Sequence, residues 1–112
     1  GLRLYYCDAN ANTRGRIFNN TISTSTGTGS SYGLYIYYSS NMDIMFNSVN
    51  ISSGGASSRA AYIYNGSNHN LYNNNFVTSV GYSIYKYGSS VLNSDHNNFY
   101  AGTSGINAYW NI

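Results

Sequence analysis

Proline and glutamate are both missing from the 112 residues, and charged side chains make up only 7% of them. An ordinary soluble domain carries roughly 25% charge and about 5% proline, so this is a biased, repeat-like composition. With good helix formers scarce and Asn, Ser, Thr, Gly and Tyr abundant, turns and strands are favoured and almost no helix is expected. The five cations, Arg3, Arg14, Arg16, Arg59 and Lys86, are scattered; no basic patch tracks a phosphate backbone, and a nucleic-acid partner is not expected. No apolar run approaches the ~20 residues of a membrane-spanning helix, so membrane insertion is not expected either. The opening residues lack the charged-then-apolar layout of a signal peptide. Cys7 stands alone, which rules out an internal disulfide and leaves it to be read as a small buried apolar residue.

Aromatic residues, by contrast, reach 17%, with 14 tyrosines, and such content argues for a packed structure rather than disorder. Their arrangement is periodic. One hexapeptide pattern recurs at Gly1–Tyr6, Gly33–Tyr38, Ala60–Asn65, Ser83–Gly88 and Gly105–Trp110, with starts 32, 27, 23 and 22 residues apart. Asn47, Asn74 and Asn97 each lie 14 residues after a start, and Val49, Phe76 and Phe99 two residues later. In the first repeat Asn20 and Ile22 come five residues later than that offset, which an insertion at Ala9 to Thr13 explains.

Within each hexapeptide apolar and outer residues alternate with period two, as in a half-buried strand. A strand recurring every ~22 residues cannot bury its inner face alone, so the repeats must stack into a solenoid at the ~4.8 Å strand spacing. The predicted fold is all-β: a right-handed parallel β-helix of about four coils plus part of a fifth, one segment over 1–112 with coils starting near 1, 33, 60, 83 and 105. Four inward columns are expected: Leu2, Leu34, Ala61, Ile84 and Ile106; Leu4, Ile36, Ile63 and Ala108, interrupted by Lys86; Ile17, Ile44 and Leu71 with Ser94; and Ile22, Val49, Phe76 and Phe99. These give each coil three short sheet segments. Asn20, Asn47, Asn74 and Asn97 fall at a tight corner, where Asn tolerates left-handed angles and its amide bonds to the same amide above and below. The variable stretches 23–32 and 52–59 are loops between coils.

The Gly-hydrophobic-x-hydrophobic opening, the central Ser-Ser-Asn and the closing Asn-x-hydrophobic together resemble the repeat of pectate-lyase-like right-handed parallel β-helix proteins. The stretch Leu92–Tyr100, followed by Tyr109-Trp110-Asn111, is similar to repeat-rich surface proteins of Bacteroidota exported by the type 9 secretion system. That second resemblance implies an extracellular or outer-surface location, an adhesin-like or matrix role, and a longer parent chain to which these coils belong. Neither resemblance carries an enzymatic motif onto these residues.

One outward column is aromatic throughout: Tyr5, Tyr37, Tyr64, Tyr87 and Tyr109, flanked by Tyr35, Tyr62 and Tyr85. Its plainest role is cross-coil stacking; its functional role would be a flat platform whose ring faces pack on sugars or on a surface or secretion-machinery protein. No catalytic residue is expected: glycoside hydrolysis needs two carboxylates about 5–9.5 Å apart, whereas Asp8, Asp43 and Asp95 fall in three columns. No metal site or cofactor is expected either, since His69 and His96 lie in different columns and are read as exposed. Lys86 points inward, so either its strand bulges or its ammonium reaches a polar patch. The expected function is a non-catalytic extracellular adhesin module; the alternative is a scaffold segment of a polysaccharide lyase or glycoside hydrolase whose catalytic coils lie elsewhere. Cut out alone, such a segment is expected to aggregate or fold poorly, because both ends of the stack lack caps.

Overall fold

A computed structural model describes residues 1–25, 27–88 and 92–111; Thr26, in the first loop, and Ile112 lie outside them. Eleven strands follow one another: β1 (Leu2–Tyr5), β2 (Gly15–Phe18), β3 (Thr21–Thr24), β4 (Tyr32–Tyr37), β5 (Met42–Met45), β6 (Ser48–Ile51), β7 (Arg59–Tyr64), β8 (His69–Tyr72), β9 (Asn75–Tyr87), β10 (Leu92–Asp95) and β11 (Asn98–Trp110). All pair in parallel, one coil on the next, as a β-solenoid. The described residues include no helix, and so none long and apolar enough to cross a membrane. The stack makes about three turns, fewer than the four coils and part of a fifth inferred from counting hexapeptides. Both end coils depart from the repeat, the first through its insertion and the last through a register shift described below.

The strands form two sheets rather than three separate segments per coil. In the earlier coils a loop separates the closing strand from the next opening strand. The later coils are shorter and carry no such insertion, so β9 and β11 run unbroken from one segment into the next. The opening and closing ladders thereby join in one seven-stranded sheet, with β2, β5, β8 and β10 forming the other.

Leu34, Ile36, Ile44, Val49, Ile63, Leu71, Phe76 and Ile84 are fully buried in a single core running along the axis. Each such side chain contributes about 1.5–3 kcal/mol by leaving water. The expected columns hold through the first four coils: Leu2 pairs Leu34, Leu34 pairs Ala61, and Ala61 pairs Ile84. The last coil breaks the pattern. With Asn98 already paired to Asn75, one residue off the hexapeptide spacing, a further one-residue irregularity between Ala101 and Ser104 sets Ile106 beside Tyr82, Ala108 beside Ile84 and Tyr109 beside Tyr85, two residues away from the alignment the hexapeptides suggest.

The asparagine ladder is present. Asn20, Asn47 and Asn74 each donate from Nδ2 to the next Oδ1, at 2.9, 3.0 and 2.9 Å. Each Oδ1 also accepts the backbone N–H of the ladder residue before it. The left-handed angle, however, belongs to the residue just before: φ is 58° at Asn19, 57° at Phe46, 56° at Asn73 and 52° at His96. The ladder asparagine itself resumes extended chain and spends its side chain on the coil stack.

Candidate functional site

Strands β1, β4, β7 and the second half of β9 stack in register, so outward residues of successive coils meet directly. Tyr5 and Tyr37 lie 4.5 Å apart between ring centroids with planes within 6°. Tyr37 and Tyr64 follow at 5.1 Å and 13°, and Tyr64 and Tyr87 at 5.2 Å and 12°. In the flanking column Tyr35 stacks on Tyr62 at 4.8 Å. Tyr109 extends this flanking column, stacked on Tyr85 at 4.3 Å, and not the Tyr87 column to which its hexapeptide position pointed; the β11 register, completed by the shift at Ala101/Ser104, places it there.

Parallel rings this close cannot lie edge to edge in one plane; they are offset-stacked, and each covers much of its neighbour's face. The surface therefore presents ring edges and hydroxyls instead of the open ring faces that a flat sugar platform requires. Each stacked pair adds about 0.5–1.5 kcal/mol to coil cohesion. Partial loss of water pushes the Tyr37 and Tyr62 phenols up to about 12, with neighbouring tyrosines adding in the same direction at Tyr37 and the Arg59 cation opposing at Tyr62. Both hydroxyls stay neutral, able to donate as well as accept.

The face is wider than periodicity suggested. Tyr32, Arg59 and Tyr82 form a further column at the strand entrances. Strict alternation would turn these residues inward, but the paired buried positions Gly33–Leu34, Ala60–Ala61 and Ser83–Ile84 break the alternation there. The available signal was positional: all three stand immediately before a hexapeptide. The Arg59 guanidinium lies 4.4 Å from the Tyr62 ring centroid and 4.2 Å from that of Tyr85, within cation–π range, and those two rings cross at 88° instead of stacking. Its Nη1 also donates to the Tyr32 hydroxyl at 3.1 Å. Arg3 sits 4.9 Å from the Tyr35 centroid and 5.0 Å from that of Tyr5. At the first coil the face opens into a cleft of about 270 Å³ lined by Gly1, Leu2, Arg3, Tyr32 and Tyr35.

No family model, curated protein or solved structure matches the chain. Its site must be judged on its own geometry.

The three carboxylates occupy three columns: Asp8 bridges to Ser40, Asp43 lies between Arg16 and Asn70, and Asp95 faces Tyr72. Asp43 is held in a clamp. Arg14 Nε donates to its Oδ1 at 2.5 Å and Asn70 Nδ2 donates to the same oxygen at 2.8 Å. Arg14 Nη2 donates to the carbonyls of Met42 and Asn68, tying three coils together. Among the described residues no group of three or more His, Cys, Asp or Glu side chains converges.

Three further expectations need correction or resolution. His69 is fully buried, not exposed, because it shares an inward column with Met42 and Leu92; neither ring nitrogen has a hydrogen-bond partner. Burial pushes its pKa down to about 4, and the nearby Arg14 cation acts the same way against weaker opposing effects of the Ser39 backbone and Asp8. His96 is exposed beside Asp95. Cys7 is exposed, not the small buried apolar residue expected. Lys86 is fully buried without a bulge in its strand, and its ammonium donates to the carbonyls of Gly88 and Asn111 at 2.7 and 2.9 Å.

Proposed function

We propose that this chain is a non-catalytic extracellular module of an adhesin-like surface protein, which grips a glycan through the hydroxyl edges of its tyrosine face. The extracellular location and the adhesin class rest on the sequence resemblance to pectate-lyase-like coils and to type 9-secreted surface proteins. One observation carries the binding role: tyrosines on consecutive coils stack 4.5 to 5.2 Å apart, an offset packing that leaves ring edges and hydroxyls to face outward. Such a comb offers repeated donors and acceptors along one direction, suited to a hydroxyl-bearing polymer more than to the apolar surface of a protein partner. The described acids stand in other columns, so the face carries only the two cations Arg3 and Arg59.

Replacing Tyr37, Tyr64 and Tyr87 with Phe keeps the stack and removes three hydroxyls. At about 1 kcal/mol for each lost hydrogen bond, affinity is expected to fall roughly hundredfold. The assay is retention of the intact protein on a panel of polysaccharides, with release of shortened products scored in parallel. Glycan binding that the triple variant loses supports the proposal. Binding unchanged in that variant, or no glycan bound at all, overturns it, as would capture of a protein partner alone. Released products would move the coils into the scaffold of a polysaccharide-degrading enzyme.

A further inference from the structure

The flanking column of tyrosines is interrupted at Arg59. Its strand, β7, has β4 on one side and β9 on the other, so a described coil covers it both ways. The guanidinium lies 4.2, 4.4, 5.5 and 5.8 Å from the ring centroids of Tyr85, Tyr62, Tyr32 and Tyr82. Rings attract a cation over their faces but bring no negative charge to it. Among the described residues Arg59 joins no ion pair: Asp43 and Asp95 pair with Arg14 and His96, and Asp8 stands in another column.

The hydrogens of this guanidinium are unevenly spent. Nη1 donates to the Tyr32 hydroxyl at 3.1 Å and to the Ser57 carbonyl at 3.0 Å, which uses both of its hydrogens. Nε is buried without a partner. Nη2 also has no partner among the described residues, and unlike Nε it is not shut off from solvent. An incoming group therefore meets two hydrogens on one nitrogen, while the Tyr32 hydroxyl close by keeps a hydrogen of its own to give. Neither edge of the guanidinium retains a free fork.

We propose that Arg59 and Tyr32 form a site for a tetrahedral oxyanion, a sulfate or phosphate ester borne by the glycan. The site rests on the glycan reading above and names the substituent that the glycan carries. A carboxylate presents two coplanar oxygens, which the two parallel N–H groups of an arginine fork match; here the fork is closed by the bonds of Nη1 and by the burial of Nε. An ester of sulfate or phosphate splays its terminal oxygens in several directions, so separate donors hold it, one oxygen on Nη2 and another on the Tyr32 hydroxyl. Its charge supplies the counter-ion that the neutral face lacks. Tyr62, over which the guanidinium lies, is 5.8 Å from Tyr64 of the comb, so the substituent of a sugar held there lies beside the cation.

The test measures retention of the intact protein on dextran, carboxymethyl dextran, dextran sulfate and dextran phosphate, the last three matched in substitution, at about 0.15 M salt, where charges more than ~8 Å apart are largely screened. The ester gels should hold the protein roughly tenfold more tightly than carboxymethyl dextran, and the stronger of the two identifies the ester. Arg59→Gln should abolish that preference. Arg16→Gln, which removes the same charge from β2 on the other sheet, should keep it. Carboxymethyl dextran held as tightly as either ester overturns the proposal without any variant, and so does an Arg16→Gln loss equal to that of Arg59→Gln, the mark of diffuse charge. The glycan reading fails separately. Neutral polysaccharide retained through the hydroxyls of Tyr37, Tyr64 and Tyr87, with no preference for an ester, leaves that reading standing and removes this one. An ester preference that persists when those three residues are Phe removes the comb and leaves the Arg59 site.

Discussion

Asn47→Asp tests the asparagine ladder with almost no change of shape. Asn47 is 2% exposed. Its Oδ1 accepts the N–H and Nδ2 of Asn20, and its own Nδ2 donates to the Ile17 carbonyl at 2.8 Å, the Met45 carbonyl at 3.1 Å and Asn74 Oδ1 at 3.0 Å. Aspartate keeps the acceptor and replaces the donor with an oxygen facing three others. Two lost N–H donations cost about 2 kcal/mol, and confining a carboxylate among acceptors costs at least as much again, so the variant should lose about 4 kcal/mol at neutral pH. That is a large part of the 5–15 kcal/mol that holds a domain folded. The carboxyl can restore one donor by keeping its proton, which its surroundings favour, so the deficit should shrink in acid. Urea unfolding of parent and variant, followed by tyrosine fluorescence at pH 7.5 and pH 5, measures the difference at each pH, and any titration shared by both proteins cancels. A deficit under 1 kcal/mol at pH 7.5, or one that does not shrink at pH 5, would refute the account of the ladder as a directional hydrogen-bond chain.

Two further outcomes follow from the buried charged and titratable groups. His69, held neutral down to about pH 4 in the fold and titrating near 6.5 when unfolded, lets the unfolded chain bind the extra proton first. Its contribution is therefore complete above about pH 6.5 and is lost as pH falls towards 4, a drop of about 3 kcal/mol for the 2.5-unit shift. Urea midpoints across that window should decline in the parent and decline less in His69→Met, which mimics Met42 in the same column. Arg14→Ala should lose about 2–3 kcal/mol, because it leaves the nearly buried Asp43 carboxylate without its cation; Arg14→Lys, unable to span three coils, should recover less than half in the same assay.

The legible part of this fold was what period two and a constant offset control. The inward columns of the first four coils, the asparagine ladder and the Tyr37 column all follow from those two rules. The Tyr109 position did not, because its hexapeptide matches the pattern in composition while the irregularity at Ala101/Ser104 resets the pairing, and nothing local announces such a shift. His69 was legible in principle: it stands two residues before Leu71, as Met42 stands before Ile44, so parity alone places it inward. Its polarity masked the pattern. The orientation of the tyrosine rings was not legible, since a column of residues does not say whether rings turn faces or edges outward. That depends on the close coil spacing, which brings neighbouring rings into offset contact.

The asparagine ladder also has a direction. From Asn20 to Asn74 each Nδ2 hands a hydrogen to the coil that follows, and from Asn47 to Asn97 each Oδ1 receives from the coil before, so the amide dipoles between them point the same way. The solenoid thus has a polar sense along its axis, with the ladder's donors aimed one way and its acceptors the other. A coil laid on either end, from this chain or another, must match that sense. Head-to-tail stacking continues the ladder, whereas head-to-head stacking sets oxygen against oxygen.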